Sequence, residues 1–183
     1  MNRASTHTTA RNQPMPHNHA ADATPGTCLT TDGSTASTSY SDADLAGLLY
    51  MIEEEKLAGD LYDALFEQTG LRVFDRIGDA EDQHQATLVA QAQSLGLNLD
   101  EVLSLPEGVF ANPELQALYD SLLSSASVST RAALEVGVLV ENADIADLQT
   151  AGVSLVGTPL GDAYDNLLAG SVRHLAAFEG LLG

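Results

Sequence analysis

Glu81 and His84 stand three residues apart, a spacing that puts both side chains on one face of a helix. His174 is the only other histidine beyond residue 40. Glu55 and Glu141 each interrupt a run of apolar residues at helical spacing: Leu45, Leu48, Ile52 and Tyr62 around Glu55, and Leu134, Val138, Ile145 and Leu148 around Glu141. The Glu81 stripe reads Phe74, Ile77, Glu81, His84, Leu88, and the His174 stripe reads Leu160, Tyr164, Leu167, Ser171, His174, Phe178, Leu181. An ionisable group on an apolar stripe needs a partner, because an unpaired buried carboxylate is costly or takes up a proton. Three carboxylates meeting in one core would also repel one another. A divalent cation removes both penalties. Carboxylate with imidazole suits Fe(II), Mn(II) or Zn(II) rather than Ca or Mg, which seldom take imidazole. The candidate metal ligands are therefore Glu55, Glu81, His84, Glu141 and His174, with Glu54 one step round the first helix and Asp144 one turn beyond Glu141.

The elements that must position them are long helices. Ser41-Asp42-Ala43-Asp44 offers an N-cap hydroxyl and first-turn acids for a helix over 42–69, stopped by Gly70. A second helix over 73–95 follows after a turn too short for anything but an antiparallel neighbour. Pro106, Gly108 and Pro113 break the next stretch, where Asn112-Pro113-Glu114 opens a shorter helix over 113–124. Ser129 or Ser127 caps a third long helix over 129–149, and Thr158-Pro159 opens a fourth over 159–182. No stretch alternates as a strand does. The expected fold is all-α: a four-helix bundle with one long crossover between the second and third long helices, carrying an extra short helix. That is the layout of ferritin-like folds.

Composition narrows the partners. The chain has 183 residues, 44% hydrophobic, with 26 acids against 7 bases and a formal charge of −19. That sign argues against nucleic acid and anionic membrane surfaces. An acidic chain whose single lysine is Lys56 also suits a salt-adapted host. One cysteine, Cys28, excludes an intramolecular disulfide and a cysteine-based zinc site. Residues 1–40 are polar and neutral, with His7, His17 and His19 among Thr, Ser and Asn, and too few apolar groups for a core. They are expected to be a disordered tail before a domain over 41–183. With no signal peptide or transmembrane segment visible, a cytoplasmic protein is expected. Each polar residue also has a plainer reading. Glu53-Glu54-Glu55 could be a solvated acidic face, a buried histidine could simply pair with a carboxylate, and Tyr62 and Tyr164 could fill core space or stand beside the ligands.

Several blocks together resemble a known family: Glu53-Glu54-Glu55-Lys56-Leu57-Ala58 with Asp60 and Tyr62; Val73-Phe74 and Glu81-x-x-His84; Gly108-Val109-Phe110-x-Asn112-Pro113-Glu114; Ala133-Leu134-Glu135-Val136-Gly137; Glu141-x-x-Asp144-Ile145; and Gly170-Ser171-x-x-His174-Leu175-x-x-Phe178. Residues 41–183 are similar to the ferritin-like family labelled domain of unknown function 2202. The wider superfamily, rubrerythrin included, takes a Glu from the first and third helices and a Glu-x-x-His from the second and fourth. The resemblance implies a di-iron centre, or a mononuclear one, with Mn or Zn as alternatives. It implies Glu55 as the ligand from the first long helix and Glu141 as the ligand from the third, Glu81 as a bridge, and His84 and His174 as imidazole ligands. Ser171 stands where the second bridging Glu belongs, a place that Asp144 or Glu54 would have to fill. Iron oxidation or reaction with O2 or peroxide is the implied activity, and pairing into a homodimer the implied assembly. A non-catalytic bundle with a structural metal or an interaction role is the alternative.

Overall fold

Four long helices form the body: α1 (Asp42–Thr69), α2 (Arg72–Ser94), α5 (Thr130–Gly152) and α6 (Pro159–Leu182), with short helices α3 (Asp100–Leu103) and α4 (Pro113–Ala126) between the pairs. This is a computed structural model that describes residues 39–183. Residues 1–38, most of the expected tail, lie outside the described residues. Tyr40, assigned to that tail, accepts a bond at 3.4 Å from the Leu160 N–H. Among the described residues every regular element is helical, and none is long and apolar enough to cross a membrane.

The ends follow from local chemistry. Ser41 and Asp44 cap α1 reciprocally, Ser41 Oγ accepting from the Asp44 N–H at 3.1 Å and Asp44 accepting from the Ser41 N–H at 2.8 Å. Gly70 closes α1 at φ 69°, a conformation that favours glycine. Asn112, Ser129 and Thr158 accept from first-turn N–H groups of α4, α5 and α6. Of the two serines offered by the sequence, Ser129 is the cap of α5. Helix α3 and a 3-10 turn over Val153–Leu155 were not expected, being too short to carry a period.

Pairwise contacts fix the directions. Ile52 meets Gln85, Gly59 meets Glu81 and Asp82, and Tyr62 meets Gly78, so α1 and α2 are antiparallel. Glu54 with Asp147 and Tyr62 with Glu141 make α1 and α5 antiparallel. Glu81 with His174 and His84 with Gly170 do the same for α2 and α6, and Gly137 with Phe178 for α5 and α6. Helices α2 and α5 are thus parallel across a diagonal. The chain leaves α2 at one end of the bundle and must begin α5 at the other, about 35 Å away at 1.5 Å per residue. That distance is why the connection is long.

The crossover is strapped to α1 by polar residues. Both Ala111 and Asn112 N–H groups donate to Glu53 Oε2, at 2.7 and 3.0 Å. Gly108 N–H donates to Asp60 at 2.8 Å, and Lys56 pairs with Asp60 while donating to the Pro106 carbonyl at 3.0 Å. The Lys56 ammonium also lies 4.7 Å from the centre of the Phe110 ring. The apolar interior is in two parts. One is built round Tyr62, Phe74 and Phe178, whose ring centres are 5.3–5.9 Å apart. The other is built round Leu48, Ile52, Leu88, Leu160 and Tyr164. Glu55, Glu81, His84, Glu141 and His174 fall on the same helices between the residues of these two parts.

Candidate metal centre

Glu81 lies between the two imidazoles. His174 Nδ1–H donates to Glu81 Oε1 at 2.8 Å, and His84 Nδ1 is 2.6 Å from Glu81 Oε2. Glu55 Oε2 is 3.4 Å from His84 Nδ1, and Glu141 Oε2 is 3.6 Å from His174 Nδ1. The result is two overlapping triads, Glu55–Glu81–His84 and Glu81–Glu141–His174, each with one ligand atom per residue within 4.8 Å of the others. Every long helix contributes: α1 Glu55, α2 Glu81 and His84, α5 Glu141, α6 His174. The Tyr62 hydroxyl donates to Glu141 Oε1 at 2.6 Å, which turns the other carboxylate oxygen toward His174.

Two glycines make room. A Cβ on Gly170 would come within 2.6 Å of His84 Nε2, so the imidazole fits only against bare α6 backbone. A Cβ on Gly137 would come within 2.9 Å of the Phe178 ring. Sequence reasoning gave Gly170 no role. Its signal was a glycine inside an otherwise regular helix, which costs about 1 kcal/mol relative to Ala and so asks for a packing reason.

The three successive acids of α1 go three ways, and none is a solvated face: Glu53, Glu54 and Glu55 are 7%, 8% and 2% exposed. Glu53 holds the crossover. Glu55 joins the first triad. Glu54 lies outside both triads and meets Asp147 of α5. Asp144 is also outside the triads but buried beside them, near the Ser171 hydroxyl, which itself donates to the Leu167 carbonyl at 3.0 Å. Glu135 of α5 is exposed and pairs with Arg131 at 3.0 Å.

The charges are held by one another rather than by water. Burial alone would raise Glu81, yet the contacts with His174 and His84 win and bring it down to about 2. Burial would lower both imidazoles. Glu55 and Glu81 outweigh it and lift His84 to about 10, while Glu141 and Glu81 lift His174 to about 9. The other acids move up. Burial is the main cause for Glu55, with the charges of Asp144 and Glu81 adding to it. Burial raises Glu141 to about 7 against the pull of His174 and Tyr62, and Asp144 to about 6 against the Ser171 hydroxyl. Glu54 rises to about 9 through burial and its neighbours Asp147 and Asp144.

A histidine merely paired with a carboxylate would leave few unsatisfied atoms. Here Glu54 Oε2, Glu55 Oε1, Glu81 Oε2, His84 Nδ1, Asp144 Oδ1 and the Tyr164 hydroxyl are all buried without a hydrogen-bond partner. His84 Nδ1 and Glu81 Oε2 are close, but the ring N–H does not point along the contact, so proximity leaves both unsatisfied. Orphaned carboxylate oxygens and an imidazole nitrogen gathered within a few ångströms are a donor set that fits a cation. A cavity of about 20 Å³ adjoins them, room for one water-sized species. Glu54, Glu55, Glu81, Glu141 and Asp144 form its polar wall, and Leu57, Leu118, Leu122 and Val140 part of its apolar one.

Fold and site together define an all-helical bundle with carboxylate and imidazole groups able to bind metal in its core. The chain belongs to the family described as the uncharacterized protein domain DUF2202, whose model matches residues 44–182. It is 34% identical over 142 residues to the uncharacterized protein MJ0754 of Methanocaldococcus jannaschii, a match covering 78% of this chain and 76% of that one. Its fold is similar to the crystal structure of the hypothetical protein MJ0754 from Methanococcus jannaschii, with a TM-score of 0.76 and 32% identity, covering 79% of this chain and 82% of the other.

Proposed function

We propose that the protein is a ferritin-like metalloprotein that binds two iron ions, one in each triad, and uses them in iron oxidation or in reaction with O2 or peroxide. The observation that carries this reading is the placement of Glu81. One carboxylate belongs to both triads, with one oxygen facing each imidazole. A structural site for a single ion needs no such sharing. Glu55 with His84 would hold one ion and Glu141 with His174 the other, and Mn or Zn would suit the same ligands. The antiparallel neighbours and the long crossover are those of ferritin-like bundles, which supports the same assignment. Bound iron would supply the one-electron chemistry.

The chain's own contribution is to place and shield. Tyr62 orients Glu141. Leu118 and Leu122 of α4, with Leu57 and Val140, keep bulk water from the acidic wall. Asp144 occupies the position facing Ser171, where a second bridging carboxylate would otherwise come from α6. The proposed setting is cytoplasmic, with metal ions and O2 or peroxide as partners rather than nucleic acid or membrane, as the charge of −19 favours.

Elemental analysis of protein purified without chelator tests the proposal. About two Fe, Mn or Zn per chain are expected, and iron-loaded protein should consume O2 or peroxide. Protein that neither carries metal nor binds added Fe(II) would overturn the proposal. So would a His84→Ala, His174→Ala double variant that keeps wild-type metal.

A further inference from the structure

The two triads leave Glu54 and Asp147 without a task. Glu54 is 8% exposed, and its Oε2 is fully shielded and unpartnered. Its carboxyl group meets that of Asp147, which is half-buried on the neighbouring helix. Asp144 stands close by with its own Oδ1 unpartnered. Among the described residues, no Lys, Arg or His lies within ion-pair distance of Glu54, Asp144 or Asp147. Carboxylates gathered this way repel one another unless one holds a proton or a positive species sits between them.

Their location gives the cluster a direction. Asp147 lines an outer groove of about 200 Å³ with Gly47, Tyr50, Met51 and Thr150. Glu54 and Asp144 line the inner cavity of about 20 Å³ that also carries Glu55, Glu81 and Glu141. The outer groove and the inner cavity share no lining residue, but Glu54 of the cavity touches Asp147 of the groove. The opposite side of the inner cavity, under α4, is apolar and would repel a hydrated cation.

We infer that Glu54 and Asp147, backed by Asp144, form an accessory divalent-cation site between α1 and α5 through which metal ions pass from the outer groove to the central triads. This rests on the proposal that the triads bind metal. The site is all-oxygen, so it holds a cation loosely and keeps part of its water shell, whereas the triads add imidazole and hold it tightly. A loose acidic site at a groove mouth raises the local cation concentration without competing for the ion at equilibrium.

Metal-free full-length protein, titrated with Co(II), provides the test. Calorimetry counts tight and loose equivalents, and the visible absorption of imidazole-bound Co(II) follows filling of the triads. Asp147→Asn is expected to lose the loose equivalent, keep the tight ones, and fill the triads at least about tenfold more slowly at low metal. His84→Ala is expected to lose tight binding but retain the loose equivalent. An Asp147→Asn variant that fills at the wild-type rate and keeps its loose equivalent overturns the inference while leaving the triads standing. Wild-type protein with an Asp147-dependent loose equivalent but no tight one would instead overturn the central site and leave the accessory one.

Discussion

Replacing Glu81 by Gln separates a shared bridging ligand from an ordinary one. The substitution keeps the volume and removes the charge at the one residue common to both triads. In metal-free protein, Glu81 makes ionic contacts at 2.6 and 2.8 Å with two largely buried imidazoles. The His174 contact, a hydrogen bond between charged groups, contributes about 1.5–3 kcal/mol, and the His84 contact adds ionic attraction to it. Removing one partner of a buried ion pair costs ~3–5 kcal/mol. The Gln amide oxygen can still accept one imidazole N–H, so the lower end, about 3 kcal/mol, is expected. For a domain of this size that is a fall of about 6–12 °C in Tm. The effect on metal is sharper. Glu55→Gln and Glu141→Gln each damage one triad and should each cost about one of two ions. Glu81→Gln damages both and should cost nearly all. Metal content by mass spectrometry, with thermal unfolding of metal-free protein alongside, gives both readings. If Glu81→Gln keeps as much metal as Glu55→Gln, the carboxylate is not shared and the dinuclear reasoning fails.

Ser171→Glu would supply the glutamate that the ferritin-like resemblance expects at this position but bring a new carboxyl into a fully buried position beside Asp144. It is expected to lower Tm without adding metal, and the double variant with Asp144→Asn should recover much of the loss. A stabilised single variant with doubled metal would show that Asp144 does not serve the site. Gly170→Ala should displace His84, whose Nε2 lies where the Cβ would come. Metal content should drop, even though Ala is the better helix former by about 1 kcal/mol; unchanged metal would show that the ring moves freely. The pH dependence of metal-free protein has a definite sign. Asp144, Glu141 and Glu54 are raised to about 6, 7 and 9, and His174 and His84 to about 9 and 10. All five bind more protons folded than unfolded, so stability falls as pH rises through those values. Glu81, lowered to about 2, acts the other way, but only below pH 4.5. Chemical denaturation of metal-free protein should therefore show lower stability at pH 9 than at pH 6, and saturating metal should flatten the difference. Equal metal-free stabilities at the two pH values would contradict the buried placement of these groups.

The sequence determined the four long helices and their inward stripes. A period of 3.6 written over more than twenty residues, with Ser41, Ser129, Thr158 and Gly70 at the ends, leaves little freedom in where a helix lies or which side faces the core. For the same reason Glu55, Glu81, His84, Glu141 and His174 could be picked out as interrupting those stripes. What the period cannot say is which neighbour covers the remaining faces. Glu53, Glu54 and Glu55 differ by a helical step of 100° each, and on an isolated helix two of the three would face water. Only the docking of the crossover on one side of α1 and of α5 on the other buries all three. That packing makes Glu53 a strap, Glu54 the partner of Asp147, and Glu55 a neighbour of His84. The sharing of Glu81 between two imidazoles, the orphaned oxygens and the bare backbone at Gly170 are likewise relations between helices far apart in the chain. They depend on the register of α2 against α6, set by side-chain packing across the bundle, and no local period encodes it.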